Sequence, residues 1–397
     1  MHYVTLTDLP RAALVARRVG SLRVGRPRTA RAQRRSILSL VLFLASFVLV
    51  GLTSSPARAY TCKASDNLSA GQAKINQGLY SQAVHIFTCV IQASPTTVDA
   101  YRGRAEARLM MGQYSEAYRD LYARLISAVQ PPDILALGDQ VISSYDARLQ
   151  NCPWDVHALT GGAFARWSYY TYADAIPLLD KLLVLNPNNT FAYLFRGSNR
   201  LFAGIDIEAA QVDLETAIDL NPASPDVRYV VADAYTYALP DLDRAYQEAS
   251  LALMWGLDTP RVHAILGAAL NDVGETVDAA EEIKQHIDQS TTKCVNVAPL
   301  AVGRKKRVAL APGKTFLVPI QVSAGQSIKV TTSTPSDNVY DSILVLLDPS
   351  GNPVLGSDDT IGFFAAIDWV APVSGTYKVK VTSFEAIFTG PLDIRRD

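Results

Sequence analysis

Three hydrophobic patterns follow one another along the chain. An apolar run without a charged residue extends from Ile37 to Leu52. From about Ala64 to Ser290, apolar residues recur three and four positions apart, which is the period of an amphipathic helix. From about Val295 to Asp397, short strand-like runs are separated by turn residues. The patterns predict a multidomain protein in which an all-α region is followed by an all-β region.

The helical region contains an internal repeat. Six alanines start equivalent apolar patterns with spacings of 34, 58, 35, 35 and 34 residues, and they are Ala83, Ala117, Ala175, Ala210, Ala245 and Ala279. Turn-forming glycines stand five residues before three of them, at Gly78, Gly112 and Gly274. The odd spacing of 58 equals one repeat plus 24 residues. We therefore predict helix pairs between 60 and 290, with an extra helix (Ile134 to Leu149) inserted in the segment of about 131–155.

These motifs resemble the tetratricopeptide repeat family. The resemblance rests on Gly78-Leu79-Tyr80 with Ala83, and on the repeat ends Leu185-Asn186-Pro187 and Leu220-Asn221-Pro222. Six repeats are predicted, at about 64–97, 98–131, 156–189, 191–224, 226–259 and 260–290. The resemblance implies an all-α superhelix of stacked helix pairs, because one pair cannot bury its apolar face alone. It also implies that the first helix of each pair lines a concave groove.

The resemblance places seven residues on that groove, which would bind a protein or peptide partner through aromatic anchors and an asparagine amide. They are Phe164, Trp167, Phe195, Asn199, Phe202, Val230 and Tyr237. The alternative is that some of these side chains pack against neighbouring helices or against the inserted helix.

The last hundred residues predict a β-sandwich or jelly roll. Seven strands are expected, at 307–310, 315–322, 327–332, 342–347, 363–369, 376–382 and 392–394, after a linker at 291–306. The run Ile343–Asn352 and the run Ala371–Val381 resemble the bacterial pre-peptidase C-terminal domain, so residues 307–397 are expected to adopt that small sandwich. Four aspartates are expected to bond the backbone of local turns rather than a metal ion, with a calcium site of oxygen ligands as the alternative: Asp341, Asp358, Asp359 and Asp368.

The first 59 residues have the order of a secretory signal. Nine arginines lie between Arg11 and Arg35, the apolar run follows, and the motif Ala57-Arg58-Ala59 precedes an expected cut at Tyr60. The apolar run is slightly shorter than the ~20 residues of a membrane-spanning helix. Export from the cytoplasm of a bacterium is predicted, with an uncleaved N-terminal membrane anchor as the alternative.

Charge and cysteine usage agree with export. Residues 1–59 hold ten basic residues and one acidic residue, so removing them changes the formal charge from −1 to −10. An acidic chain is a poor ligand for nucleic acid, whose binding depends on Lys and Arg. All four cysteines follow residue 59, which predicts disulfides. Cys62 and Cys89 flank the first helix pair and are expected to bond; Cys152 and Cys294 would pair if the insert or the linker folds back.

Motifs for catalysis are not found in the sequence. Pro312-Gly313-Lys314-Thr315 has valine where a phosphate-binding loop needs glycine, and the histidines form no H-E-x-x-H motif. We expect a scaffold that binds protein, without enzymatic activity and without a cofactor. A protein that binds cell-envelope glycan through the sandwich is the alternative, and an enzyme of unrecognised type is the third hypothesis.

Overall fold

A computed structural model describes residues 61–63, 65–123, 131–311, 313–335, 341–358, 364–383 and 390–397. The predicted signal segment, 1–59, lies outside the described residues. Residues 61–63 have no regular secondary structure. From residue 65 onward, the described chain contains thirteen helices followed by nine strands, which confirms the predicted order of an all-α and an all-β region. None of the described helices combines the length and the apolar character needed to cross a membrane.

The helical region begins at Leu68 and ends at Ser290. Its helices are α1 (Leu68–Asn76), α2 (Tyr80–Ala93), α3 (Val98–Leu109), α4 (Tyr114–Tyr118, continued by a π-helical turn, Arg119–Ala123), α5 (Pro131–Asn151), α6 (Val156–Ser168), α7 (Tyr172–Leu185), α8 (Thr190–Ala203), α9 (Ile207–Leu220), α10 (Pro225–Tyr237), α11 (Leu242–Met254), α12 (Pro260–Asp272) and α13 (Thr276–Ser290).

The helices form the six predicted pairs. Repeats 1 to 6 are α1/α2, α3/α4, α6/α7, α8/α9, α10/α11 and α12/α13, and the two helices of each pair pack together. The alanine of every second helix is completely buried, so a small side chain lets the paired helices approach closely. Gly78, Gly112 and Gly274 adopt positive φ in the turns between paired helices, as predicted.

The inserted helix α5 is longer than predicted and packs against α6. The ring of Tyr145 lies against the backbone of Gly161, where a Cβ atom would come within 2.5 Å of it. Arg148 donates to Asp155 at 3.0 Å and to Glu106 on α3 at 3.4 Å. Burial raises the pKa of Glu106, and Arg148 acts against that shift. Helix α5 thus occupies the side of α6 that the second helix of repeat 2 would cover in a regular array.

The β region consists of two sheets. The strands are β1 (Lys293–Asn296), β2 (Arg304–Leu310), β3 (Lys314–Val322), β4 (Ser327–Ser333), β5 (Ser342–Leu347), β6 (Pro353–Asp358), β7 (Ala366–Val370), β8 (Gly375–Ser383) and β9 (Gly390–Arg396). Sheet A has the order β1-β3-β8-β5-β6, and sheet B has the order β2-β9-β4-β7. Strand β1 runs parallel to β3, and the other described pairs are antiparallel.

The sandwich core lies between the two sheets. Val318 and Val379 of sheet A face Ile328 and Ile394 of sheet B in one buried apolar cluster. Alternate residues of each strand point into this core, as the period of two requires. Strand β5 differs, because all six of its residues are buried. Such a continuous buried run is expected for a strand whose sheet is covered on both faces.

Helix α13 covers the second face of sheet A. Ile283 and Ile287 pack with Ile343, Val345 and Leu347 of β5 in a separate buried cluster. The ammonium group of Lys380 on β8 forms an ion pair with Asp288 at the end of α13. The last helix of the repeats therefore packs against both α12 and sheet A, and the sandwich is packed directly on the helical array.

The predicted linker at 291–306 is partly strand. Residues 293–296 form β1, in register with 314–317, and residues 304–306 extend β2 beyond its predicted start. Thr292 bonds the carbonyl of Gly313 through both its amide and its hydroxyl. The prediction of a separate linker is wrong for these residues, because their backbone groups complete the edges of the two sheets.

At Gly356, helix α13 packs closely against sheet A. A Cβ atom there would lie 2.6 Å from Cδ1 of Ile283 and 3.2 Å from Cα of Ala280. Gly356→Ala should therefore lower the free energy of unfolding by about 1–3 kcal/mol, the usual range for overpacking. In an Ile283→Val background, which removes Cδ1, the same change should cost less. Urea unfolding of the four proteins measures both effects, and a neutral Gly356→Ala would contradict the close packing.

Candidate partner-binding groove

The first helices of repeats 3 to 6 stand side by side and form one wall. Helices α6, α8, α10 and α12 contact one another in that order. Phe164 and Trp167 lie on α6, the three predicted residues from Phe195 to Phe202 lie on α8, and Val230 and Tyr237 lie on α10. All seven candidates therefore lie on the first helices of repeats 3 to 5.

Five of the seven candidates are not accessible. Phe164, Phe195 and Asn199 are completely buried, and Val230 and Trp167 are nearly so. The prediction that these five side chains form an open binding wall is wrong. They pack with one another instead: the ring of Phe164 lies 5.2 Å from that of Phe195, and the indole of Trp167 donates to Ser198 at 3.0 Å.

Helix α4 covers this wall. Tyr114 lies edge-on to Phe195 with ring centroids 5.4 Å apart, and Tyr118 lies edge-on to Trp167 at 5.6 Å. Leu121, in the π-helical turn, belongs to the same buried cluster. The second helix of repeat 2 thus leaves the usual position beside α6, which α5 occupies, and enters the groove of the later repeats.

Polar contacts fix α4 at the far side of the groove. The backbone amide of Ser115 donates to Asp226 of α10 at 2.8 Å. Burial raises the pKa of Asp226, and the bonds from Ser115 oppose that shift. Arg261 of α12 lies 5.9 Å from the ring centre of Tyr118 and donates to Asp233 at 2.9 Å. One short helix therefore contacts residues of repeats 3, 4, 5 and 6.

A cavity of about 190 Å³ remains where α4 meets repeats 5 and 6. Its lining is Ser115, Tyr118, Arg119, Tyr229, Thr259, Pro260, Arg261, Gln289 and Ser290. The buried hydroxyl of Ser290 makes no hydrogen bond to any described residue. Helix α4 consequently fills the groove over repeats 3 to 5 and leaves it incompletely filled at repeat 6.

An aromatic edge remains accessible beside the covered wall, formed by Tyr170, Tyr172, Phe202 and Tyr237. Tyr172 stacks on Phe202 with centroids 4.8 Å apart, and Tyr170 lies edge-on to Tyr172. Tyr237 lies over Arg261 at 5.1 Å. Tyr170 is 60% exposed and Tyr237 is 39% exposed, so this edge presents aromatic surface to solvent.

A repeated ion pair was missed by the sequence analysis. Three residues after the repeat alanine, four repeats carry an acid whose partner lies on the first helix of the same pair. Asp120 bonds Arg104 and Arg108, Asp213 bonds Arg196 and Arg200, Glu248 bonds Arg228, and Glu282 bonds His263. The recurrence of an acid at this one position was the signal available in the sequence.

The cysteines divide as one bonded and one free pair. Cys62 and Cys89 are both disulfide-bonded, which agrees with the first predicted pair. Cys152 and Cys294 are exposed free thiols, so the second predicted pair is wrong. Cys152 follows the inserted helix and Cys294 lies in β1, with repeats 3 to 6 between them in the chain.

The thiol states predict a labelling pattern. Under non-reducing conditions, the native protein should take up two maleimide labels, at the exposed thiols of Cys152 and Cys294. After reduction and denaturation it should take up four, the full cysteine count. Mass spectrometry of tryptic peptides locates the labels, and labelling of Cys89 in the native protein would contradict the bonded state.

The proposed calcium ligands are only partly described. Asp359 and the side chain of Asp358 lie outside the described residues. Asp368 is exposed on β7, accepts from Ser327 at 3.3 Å and faces Lys329 at 4.0 Å. Its contacts are those of a surface strand residue, and calcium binding stays the alternative to the predicted role of these aspartates in local turns.

The helical region and the β region are each similar to proteins of known structure. The helical part of the chain is similar to tetratricopeptide repeat proteins. One, from Thermus thermophilus, is 18% identical with a TM-score of 0.31, covering 51% of this chain and 97% of that protein. Another, from Parabacteroides merdae, is 17% identical with a TM-score of 0.35, covering 57% and 78%. The pre-peptidase C-terminal domain of a Bacillus anthracis collagenase is 13% identical with a TM-score of 0.22, covering 26% and 95%. No protein-family model and no curated protein matches the sequence.

Proposed function

We propose that this protein is an exported scaffold that binds a protein partner through the aromatic edge of its helical array. Stacked helical repeats offer extended binding surfaces, and here the last repeat is packed on the sandwich through α13. Tyrosine provides a large contact area at low entropic cost and is enriched where proteins bind each other. The edge formed by Tyr170, Tyr172, Phe202 and Tyr237 has that composition.

The conformation of Tyr170 carries the proposal. It occupies in repeat 3 the turn position that glycine occupies in repeats 1, 2 and 6, and its φ is 64°. A bulky residue in this region costs on the order of 1 kcal/mol, and such strain clusters at functional sites. Here the strained side chain is also exposed, so packing in the core does not account for it.

Export is supported by two features. The N-terminal segment has the basic, apolar and cleavage regions of a signal, and Cys62 and Cys89 are disulfide-bonded. A fusion of residues 1–63 to a reporter enzyme that is active only outside the cytoplasm tests this part. Activity that depends on the apolar run is expected, and an inactive fusion would count against export.

Substitution of Tyr170 separates binding from stability. Tyr170→Gly should raise the free energy of unfolding by about 0.5–1 kcal/mol, because the strain is removed. The same change should weaken capture of envelope protein by the immobilised full chain about tenfold. Val212, which is exposed on α9, supplies the matched control: Val212→Ser should change neither measurement by much.

Two outcomes would redirect the proposal. If Tyr170→Gly stabilises the protein while capture stays unchanged, the aromatic edge is not the contact. If the immobilised chain retains cell-wall polysaccharide and no protein, the glycan-binding function is correct instead, with the sandwich as its site.

A further inference from the structure

The groove of repeats 3 to 5 holds a helix that is placed as a ligand would be. Helix α4 buries Tyr114 and Tyr118, and its π-helical continuation buries Leu121; these three residues, at the spacing i, i+4 and i+7, belong to one buried cluster. Its contacts reach Phe195 of repeat 4, Trp167 of repeat 3 and Asp226 of repeat 5. We propose that this groove is a helix-binding site, that the chain keeps it occupied with α4, and that a partner enters it as an amphipathic helix with aromatic, aromatic and aliphatic residues at that spacing.

Helix α4 fills the groove incompletely, which favours its replacement by the helix of a partner. The cavity of about 190 Å³ shows that the groove extends beyond α4 toward repeat 6. The hydroxyl of Ser290, which lines this cavity, makes no hydrogen bond to a described residue. A buried polar atom without a partner is unfavourable, so a longer helix that supplies a hydrogen-bond partner and fills the cavity would bind better.

The connection of α4 to the rest of repeat 2 shows what would move. Asp120, after α4, accepts from Arg104 at 2.9 Å and from Arg108 at 2.6 Å, and both arginines lie on α3. Buried pairs of this kind are costly to separate. Helix α4 should therefore leave the groove together with α3. The helix itself is too short to be stable in isolation, so its position depends on the groove.

The inference rests on the proposed function, because it assumes a protein partner, but it concerns a different surface from the aromatic edge. The probe is a capped, fluorescent peptide with the sequence of residues 110–123. The host is the full chain with Tyr114→Ser and Tyr118→Ser, which weakens the hold of α4. The control peptide carries Tyr118→Ser and Leu121→Ser. Circular dichroism and gel filtration establish that the host remains folded.

Fluorescence anisotropy should show the peptide binding at least tenfold more tightly to the substituted host than to the unsubstituted chain, and the control peptide should not bind. A second measurement needs no substitution: saturating peptide should accelerate amide hydrogen exchange in 114–121 of the unsubstituted chain and leave exchange in α8 slow. Equal binding to both hosts would show that α4 does not block the groove. Absence of binding together with unchanged exchange would overturn the proposal, while capture of a partner at Tyr170 would still stand on its own test.

Discussion

Asp213→Ala should lower the free energy of unfolding by about 3–5 kcal/mol, which is typical for breaking a buried ion pair on one side. The carboxylate of Asp213 accepts two bonds from Arg196, at 2.8 and 2.7 Å, and one from Arg200 at 2.7 Å. The Asp213 side chain is only 5% exposed. Its bonds raise the pKa of Arg196, against the effect of burial. Removing it leaves two guanidinium groups in a poorly solvated site.

The chain supplies a matched control on the same arginine. Asp180 accepts from Arg196 at 2.8 Å but is 51% exposed. Asp180→Ala should therefore cost less than about 1 kcal/mol, because water and salt screen an exposed pair. Chemical denaturation of both variants, at low and at high salt, makes the comparison. Equal losses for the two variants would show that burial of the carboxylate does not determine the strength of this cluster.

The His263 cluster should make stability fall between about pH 6.5 and pH 9. Burial lowers the pKa of His263, but bonds to Asp258 at 2.8 Å and Glu282 at 2.5 Å outweigh it and raise the pKa to about 9. The unfolded pKa is about 6.5, so the protonated ring stabilises the fold fully below that value. The contribution, on the order of 3 kcal/mol, is lost as the pH rises through 9. His263→Gln should flatten the stability profile in this window.

Two further measurements confine the effect to this cluster. Glu282→Gln should reduce the pH-dependent loss, since one carboxylate remains beside the ring. His286 should affect stability at acidic pH instead. Burial lowers its pKa to about 4, although its Nδ1 bonds the carbonyl of Pro260 at 2.7 Å. Its protonation should destabilise the fold only as the pH falls from 6.5 toward 4. An unchanged slope above pH 6.5 in His263→Gln would assign that slope to other groups.

The periodicity of apolar residues predicted the helix pairs and most strands. It missed the strands whose formation depends on contacts with distant parts of the chain. The alanine spacing located all six helix pairs, and seven of the nine described strands were predicted. Strand β6 was missed because Pro353 and Gly356 read as turn residues. Both are compatible with this edge strand, where proline is tolerated and where glycine admits α13. Strand β1 has only four residues, and its pairing with β3 is a long-range feature.

The burial of the groove residues could not be predicted from the pattern within one repeat. Position within the repeat placed Phe164 and Phe195 on the correct helices, and their burial followed from another part of the chain. The spacing of 58 residues revealed extra sequence between repeats 2 and 3. It did not reveal which of two helices, α4 or α5, would pack beside α6. That choice depends on the fit of Tyr114 and Tyr118 to the aromatic wall, which no single repeat encodes.

The packing of α13 against both α12 and sheet A has a consequence for the array as a whole. In a stack of repeats, each open face is covered by the next unit, and the last unit needs a cap. Here a β-sheet covers that face: Ile283 and Ile287 lie in one buried cluster with residues of β5. The sandwich thus closes the array at α13. Repeats and sandwich should consequently melt in one cooperative transition.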